Sequence, residues 1–125
     1  MKKELIICII VVAIIIIADV FSQKYTKNVF GELSYNLEEL KSNIDNKEFA
    51  KEKISYINNI WDEKFNILTC YLEHNELEKV KNQLVLIETA INVEDKSFFY
   101  EETDRALYIM EHIKEKESLR IDNIL

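Results

Sequence analysis

Ten residues near the middle of the chain, LTCYLEHNEL at positions 68–77, bring together side chains that can bind a metal ion or transfer protons. Cys70, Glu73 and His74 offer a thiol, a carboxylate and an imidazole, which are ligand types of zinc and other transition metals. On a continuous helix, residues three and four positions apart lie on the same face, so Cys70 could share an ion with either of the others. The first chemical hypothesis is therefore a metal- or redox-linked sensor site that uses Cys70 and His74.

The pattern of these ligands argues against such a site. Compact metal sites repeat their ligands, as in C-x-x-C or H-E-x-x-H, whereas this stretch has one thiol and one imidazole. The sequence also lacks a glycine-rich phosphate loop and a nucleophile with a base and an orienting group, so we expect no cofactor and no enzymatic activity. In the structural alternative, Cys70 packs as a small apolar side chain. His74 then lies near a helix C-terminus, where it binds free carbonyl groups or the tail residue Asp122.

The composition predicts an all-α protein. Proline is absent and glycine occurs once among 125 residues, whereas sheet proteins need frequent turn formers. The formal net charge of -7 repels phosphate groups, so nucleic acid is not an expected partner. Cys8 and Cys70 lie in different parts of the chain and do not indicate a disulfide framework.

The N-terminal segment, residues 1–23, predicts a single membrane anchor. Two lysines precede fourteen uncharged residues, Leu5 to Ala18, and after Asp19 the apolar character resumes as far as Phe21. At about 1.5 Å per residue, this stretch reaches roughly 25 Å, close to the roughly 30 Å of a bilayer core. The alternative is a signal peptide cleaved near residues 20–22, but the polar region and small residues that usually precede cleavage are missing.

Lysines on both sides of the anchor bear on its orientation. Lys2 and Lys3 lie directly against the apolar run, whereas Lys24 and Lys27 lie beyond its other end. Because positive charge next to a span favours the cytoplasmic side, we expect the N-terminus inside and residues 24–125 outside the cell membrane. Asp19 lies within one turn of the end of the run, where its carboxylate can reach the interface.

Residues 24–125 carry four amphipathic stripes, in which apolar residues recur at steps of three and four. The first stripe follows the anchor without a break, so one helix is expected from the membrane to about Asn43. One longer step, from Phe99 to Ala106, interrupts the fourth stripe. The stripes are Val29, Phe30, Leu33, Leu37, Leu40 and Ile44; Ile54, Ile57, Trp61, Phe65, Leu68 and Leu72; Leu77, Val80, Leu84, Ile87 and Ile91; and Phe99, Ala106, Met110 and Ile113.

Two of the breaks between stripes are similar in sequence. NIDNKEF at 43–49 and NVEDKSF at 92–98 align at an offset of 49, each with Asn or Asp where a helix N-cap is expected. A third break is expected near His74, with Asn75 as the N-cap of the next helix and Glu78 completing a capping box. We therefore predict two stacked antiparallel helical hairpins, which form a four-helix, TPR-like bundle.

Most aromatic side chains fall at helical spacing and are expected in the core. Phe98, Phe99 and Tyr100 are consecutive, and consecutive helical positions differ by about 100 degrees, so these rings cannot all face one side. We expect one of them to be exposed at the end of the bundle away from the membrane, as a contact for a partner. The alternative is that it packs over the first helical turn. The expected core aromatics are Trp61, Tyr71, Phe98, Phe99, Tyr100 and Tyr108.

The order of several residues resembles the bacterial domain-of-unknown-function family 4363, found mainly in clostridia and their relatives. The resemblance implies a small membrane-anchored helical protein with no assigned activity, so it supplies no catalytic residues. It is carried by the short anchor together with Trp61, Lys64, His74, Glu76, His112, Ile113, Leu119 and Asn123-Ile124-Leu125.

These expectations combine into one hypothesis of function. The chain is expected to be a non-enzymatic, membrane-anchored helical scaffold or interaction domain that holds a protein partner at the membrane surface. Self-association into a homo-oligomer stays open. The alternative hypothesis is the metal- or redox-linked sensor domain that uses Cys70 and His74.

Overall fold

The computed structural model describes residues 1–124, with side chains described for residues 1–119, and this part of the chain forms four α-helices. They are α1 (Lys2–Ser42), α2 (Lys47–Leu68), α3 (His74–Asn92) and α4 (Lys96–Ile124). The all-α prediction is confirmed. The prediction of one unbroken helix from the apolar segment through the first stripe is confirmed as well.

The four helices form an antiparallel bundle. Each helix packs against its neighbours in chain order, and α4 closes the ring by packing against α1. In a closed ring every apolar stripe faces a common centre, whereas an open solenoid keeps its first and last helices apart. The predicted four-helix bundle is confirmed, and its likeness to TPR proteins is limited to the antiparallel pairing of consecutive helices.

The core consists of the predicted stripes. All of their residues are buried except Ile44, Phe65 and Leu72, which are partly buried against the core. Trp61 is 1% exposed, and its ring centroid lies 6.2 Å from that of Phe30 and 5.8 Å from that of Phe65. Burial of these apolar side chains is the main force that holds the helices together.

At its N-terminal end α1 extends beyond the bundle. Its buried residues begin at Ser22, whereas almost all apolar side chains from Leu5 to Phe21 are exposed. An 18-residue window of α1 has a mean hydropathy of 3.2 and is 6% buried. Among the described residues, α1 is the one helix long and apolar enough to cross a membrane. We call the end of the bundle next to this segment the proximal end, and the opposite end, with turns 43–46 and 93–95, the distal end.

The two distal turns carry matching helix caps, as the repeat predicts. The side chain of Asn46 accepts a hydrogen bond of 3.1 Å from the amide of Phe49. The side chain of Asp95 accepts one of the same length from the amide of Phe98. Both bonds satisfy an N–H group of the first helical turn that has no partner within the helix.

Helix α4 runs antiparallel to α1 and returns to the proximal end. Lys41 contacts Asp104 at 2.7 Å near the distal end, and the amide of Gln23 donates to Ser118 at 3.1 Å near the proximal end. Because α4 continues to Ile124, its backbone passes the level of Gln23 and reaches toward the exposed segment of α1.

Candidate functional site

The stretch LTCYLEHNEL lies at the proximal end and contains the turn between α2 and α3. Cys70 lies in this turn, and His74 is the first residue of α3, so the two do not share a continuous helix. Across the described residues, no group of three His, Cys, Asp or Glu side chains could hold a metal ion. The geometry gives no support to a shared metal or redox site of Cys70, Glu73 and His74.

His74 lies at a helix N-terminus, so the prediction that it lies near a C-terminus and binds free carbonyls there is wrong. Its exposed imidazole (72%) pairs with Glu78, with 3.3 Å between Nε2 and Oε1. The predicted cap at Asn75 is also wrong, since the N-cap of α3 is Glu73, which makes no side-chain capping bond. The predicted tail partner, Asp122, lies outside the residues whose side chains are described.

The residue of α4 that reaches this turn is Lys116. Its ammonium group lies 3.3 Å from a carboxylate oxygen of Glu76 and 3.8 Å from one of Glu73. This contact was not predicted, because Lys116 belongs to a charged run whose facing depends on the register of α4 against α3. The cleft beside it has a volume of about 170 Å³. Small-molecule sites usually start near about 300 Å³, so this cleft is smaller than is usual for such a site.

A hydrogen bond ties the same turn to α1. Thr26 Oγ1 and Tyr71 Oη are 2.7 Å apart, and Thr26 is fully buried. The bond fixes the α2–α3 turn to α1 close to the point where α1 leaves the bundle. Cys70, in contrast, is exposed, and its thiol donates to the carbonyl of Asn66 at 3.5 Å. The prediction that Cys70 packs as a small apolar side chain is therefore wrong.

A buried polar pair joins α3 and α4 inside the bundle. Gln83 Nε2 donates to Glu102 Oε2 at 2.9 Å and to the backbone carbonyl of Glu102 at 3.2 Å, and both side chains are buried. The long step between Phe99 and Ala106 marks this position in the sequence, because the buried polar residues Glu102 and Thr103 fill the gap in the stripe. A buried polar group without its partner costs about 1–3 kcal/mol, so the pair favours one register of α3 on α4.

The three consecutive aromatic residues lie where α4 begins, at the distal end. Phe99 is buried in the core, and Phe98 and Tyr100 are half-buried against it, so the expectation of one exposed ring is wrong. Phe99 is thereby removed from the partner-contact candidates, whereas the other two keep accessible surface. Tyr108, predicted in the core, is instead exposed and stacks on His112.

Two reciprocal ion pairs join the distal turns, and we call them the distal clasp. Lys47 pairs with Glu94 at 2.6 Å, and Lys96 pairs with Asp45 at 2.5 Å. At the offset of 49, Lys47 corresponds to Lys96 and Asp45 to Glu94, so each repeat gives a lysine to one pair and a carboxylate to the other. The hydrogen bond and charge of Lys47 lower the pKa of Glu94, and those of Asp45 raise the pKa of Lys96.

The clasp is expected to stabilise the bundle only where both partners are charged. Because folding lowers the pKa of Glu94, its contribution is present above the ordinary value of 4.5 and is lost as the pH falls through the folded value. Because folding raises the pKa of Lys96, its contribution is present below 10.5 and is lost as the pH rises through the folded value. Lys47→Gln should therefore lower the denaturant midpoint at about pH 7 and have a smaller effect at about pH 3, which is below the ordinary pKa of Glu94.

Chemical denaturation at the two pH values measures this difference. Lys79→Gln is the matched control, because Lys79 is an exposed lysine for which no ion pair is found among the described residues. An equal effect of Lys47→Gln at both pH values would show that the clasp acts through something other than charge.

A comparison with protein-family models gives a match over most of the chain. The family described as Domain of unknown function (DUF4363) matches residues 20–124. No curated protein and no solved structure matches the chain. The matched range begins near the end of the exposed apolar segment and covers the whole bundle part of α1 together with α2, α3 and α4. The chain therefore belongs to the DUF4363 family.

Proposed function

We propose that the protein is a non-enzymatic interaction domain, anchored in the cell membrane by a single span, that holds a protein partner at the membrane surface. The continuity of α1 carries this proposal, because one helix supplies both the exposed apolar segment and one wall of the bundle. Sharp bends in helices usually arise at a proline, a Gly/Ser pair, a bulge or an inserted group; α1 contains no proline, and its one glycine, Gly31, lies in the part packed in the bundle. The bundle is therefore carried on a stiff support and not on a flexible tether.

Exposure of the apolar segment supports the membrane location. In water, its side chains would cost roughly 25 cal/mol for each Å² of apolar surface, whereas lipid covers them without that cost. We place the N-terminus inside and the bundle outside, because Lys2 and Lys3 lie within one helical turn of the apolar run, from which only Glu4 separates them.

The distal end is the surface that we assign to the partner. Phe98 and Tyr100 are half-buried at this end, and a cleft of about 300 Å³ there has Phe99 and Ile91 in its lining. The charged residues of the distal clasp form the rim of this cleft. An apolar centre within a polar rim is typical of protein interfaces, and Phe98 and Tyr100 add accessible aromatic surface at the same end of the bundle.

Photo-crosslinking in cells tests the assignment. A photoreactive phenylalanine analogue in place of Phe98 or Tyr100 is expected to give a discrete adduct, which mass spectrometry identifies. The same analogue in place of Tyr35, an exposed aromatic residue on the side of α1, is the matched control and should give none. An adduct with the mass of two chains would identify a second copy as the partner. Absence of adducts at both distal positions, or equal adducts at all three, would refute a distal docking surface.

A further inference from the structure

Three exposed apolar side chains from three different helices lie at the proximal end of the bundle. Phe21 of α1 is 61% exposed, Ile67 of α2 is 44% exposed and Leu119 of α4 is 62% exposed. We call these three residues the proximal collar. Single exposed apolar residues are ordinary on protein surfaces, so their meaning depends on whether they share one height along the bundle.

The height of Leu119 follows from the contact between α4 and α1. Leu119 comes directly after Ser118, which accepts the hydrogen bond from Gln23 at 3.1 Å. Since the two helices are antiparallel, Leu119 lies level with residue 22 of α1. That is the position next to Phe21, where the buried part of α1 begins.

The height of Ile67 follows from the contact between α2 and α1. The ring of Trp61 lies against that of Phe30, and Ile67 is six residues further along α2, or about 9 Å. In an antiparallel pair this places Ile67 level with residue 24 of α1. The proximal collar therefore covers about three residues of α1, or roughly 5 Å of height.

We propose that the proximal collar lies in the headgroup layer of the bilayer, as a second membrane contact beside the span of α1. The inference rests on the proposed span. A headgroup layer is roughly 5–8 Å thick on each side of the hydrocarbon, so the collar fits within a single layer. The exposed apolar run of α1 continues directly below Phe21, and the ring of Tyr25 stacks on Phe21 with a centroid distance of 6.1 Å. Aromatic rings with a polar tip are enriched at this depth.

The arrangement of the collar favours a lipid surface over a protein partner. One residue lies on each of α2, α1 and α4, which follow one another around the ring, so a protein would have to extend across three helices to cover them all. A bilayer that surrounds α1 contacts all three within its headgroup layer, and the backbone of α4 beyond Leu119 extends about 7 Å further toward the membrane. Lys24, Lys27 and Glu115 lie nearby, so the charge at this end is mixed and anionic lipid is not required.

The consequence is a fixed position for the bundle. Three contacts define a plane, so the collar holds the long axis of the bundle close to the membrane normal. The bundle part of α1, residues 22–42, is about 30 Å long at helical rise. The distal clasp and the aromatic residues beside it are then kept about that far above the headgroups.

Depth-dependent fluorescence quenching tests the proposal. The full chain, with Cys8→Ala and Cys70→Ala, is reconstituted into phosphatidylcholine vesicles that carry a nitroxide on the headgroup. A fluorophore on Ile67→Cys or Leu119→Cys is expected to be quenched several-fold more than one on Val93→Cys, an exposed position in the distal turn. The span itself is tested with a fluorophore on Ile14→Cys in vesicles that carry the nitroxide on the lipid acyl chains, where this fluorophore is expected to be quenched.

Each outcome separates the collar from the span. Quenching at Ile67 and Leu119 equal to that at Val93, with Ile14 quenched, would overturn the collar and leave the span in place. Absence of quenching at Ile14 would overturn both. Fluorophores on the collars of two copies that lie together would quench one another, and dilution with unlabelled protein would relieve this self-quenching. That result would show that a second copy covers the collar, and the lipid contact would be refuted.

Discussion

Replacement of Trp61 by alanine is expected to lower the free energy of unfolding by about 3–5 kcal/mol. This is a large share of the roughly 5–15 kcal/mol that keeps a small domain folded. The indole is fully buried between α1 and α2 and contacts the rings of Phe30 and Phe65. The loss has two parts, because the removed ring no longer leaves water on folding and the space that it filled becomes a cavity.

Denaturation of the full chain in detergent micelles, followed by circular dichroism, measures this loss. Tryptophan fluorescence cannot follow the variant, since Trp61 is the only tryptophan. Tyr35→Ala is the matched control, because this exposed aromatic residue should change stability by no more than about 0.5 kcal/mol. Trp61→Phe keeps a ring in place and should lose less, so a result is obtained even if the alanine variant does not fold. A loss of less than about 1 kcal/mol for Trp61→Ala would contradict its central position in the core.

Much of the fold could be predicted because apolar periodicity and helix caps act over short stretches of chain. The four stripes needed only the helical repeat, and the caps at Asn46 and Asp95 needed only the alignment of the two turns. The closure of the ring was beyond sequence reasoning, because it depends on contacts between residues as far apart as Gln23 and Ser118.

The candidate site was harder to predict because one helix end was placed incorrectly. Helix α2 ends at Leu68, whereas the predicted break lies near His74. No glycine or proline marks the end of α2, and residues 69–73 would also suit a helix. That difference moved His74 from the C-terminus of one helix to the N-terminus of the next, which removed its predicted role.

The exposure of Ile67 and Leu119 at the proximal end could not be predicted from the sequence either. Ile67 directly precedes the fully buried Leu68, and Leu119 follows a stripe of core residues, so both read as ordinary apolar positions. Their shared height depends on the register of three helices, which periodicity alone does not supply. The long step in the fourth stripe does mark two buried polar positions, Glu102 and Thr103.

The second large effect is expected in the labelling of the bundle from outside the cell and in its retention by the membrane. We expect a cysteine at Val93, with Cys8→Ala and Cys70→Ala, to react fully with a membrane-impermeant maleimide in intact protoplasts. Val93 is exposed in the distal turn, so the reagent can reach it wherever the bundle lies outside. The labelled chain should then stay in the membrane pellet after an alkaline carbonate wash, because a spanning helix is held by lipid and not by charge.

Deletion of residues 2–21 is the control for this experiment. It removes the exposed apolar run and keeps α1 from Ser22 onward, where its burial in the bundle begins. The shortened chain should be soluble and should react only after lysis.

The central claim is that α1 spans the membrane and carries the bundle on its outer side, and one measurement tests it directly: the amount of maleimide label in the washed pellet of intact protoplasts. We predict that nearly all of the full-length chain is labelled and remains in the pellet. Reaction of the cysteine with maleimide only after lysis would place the bundle inside the cell. Labelled chain in the carbonate supernatant would show that α1 does not span the membrane.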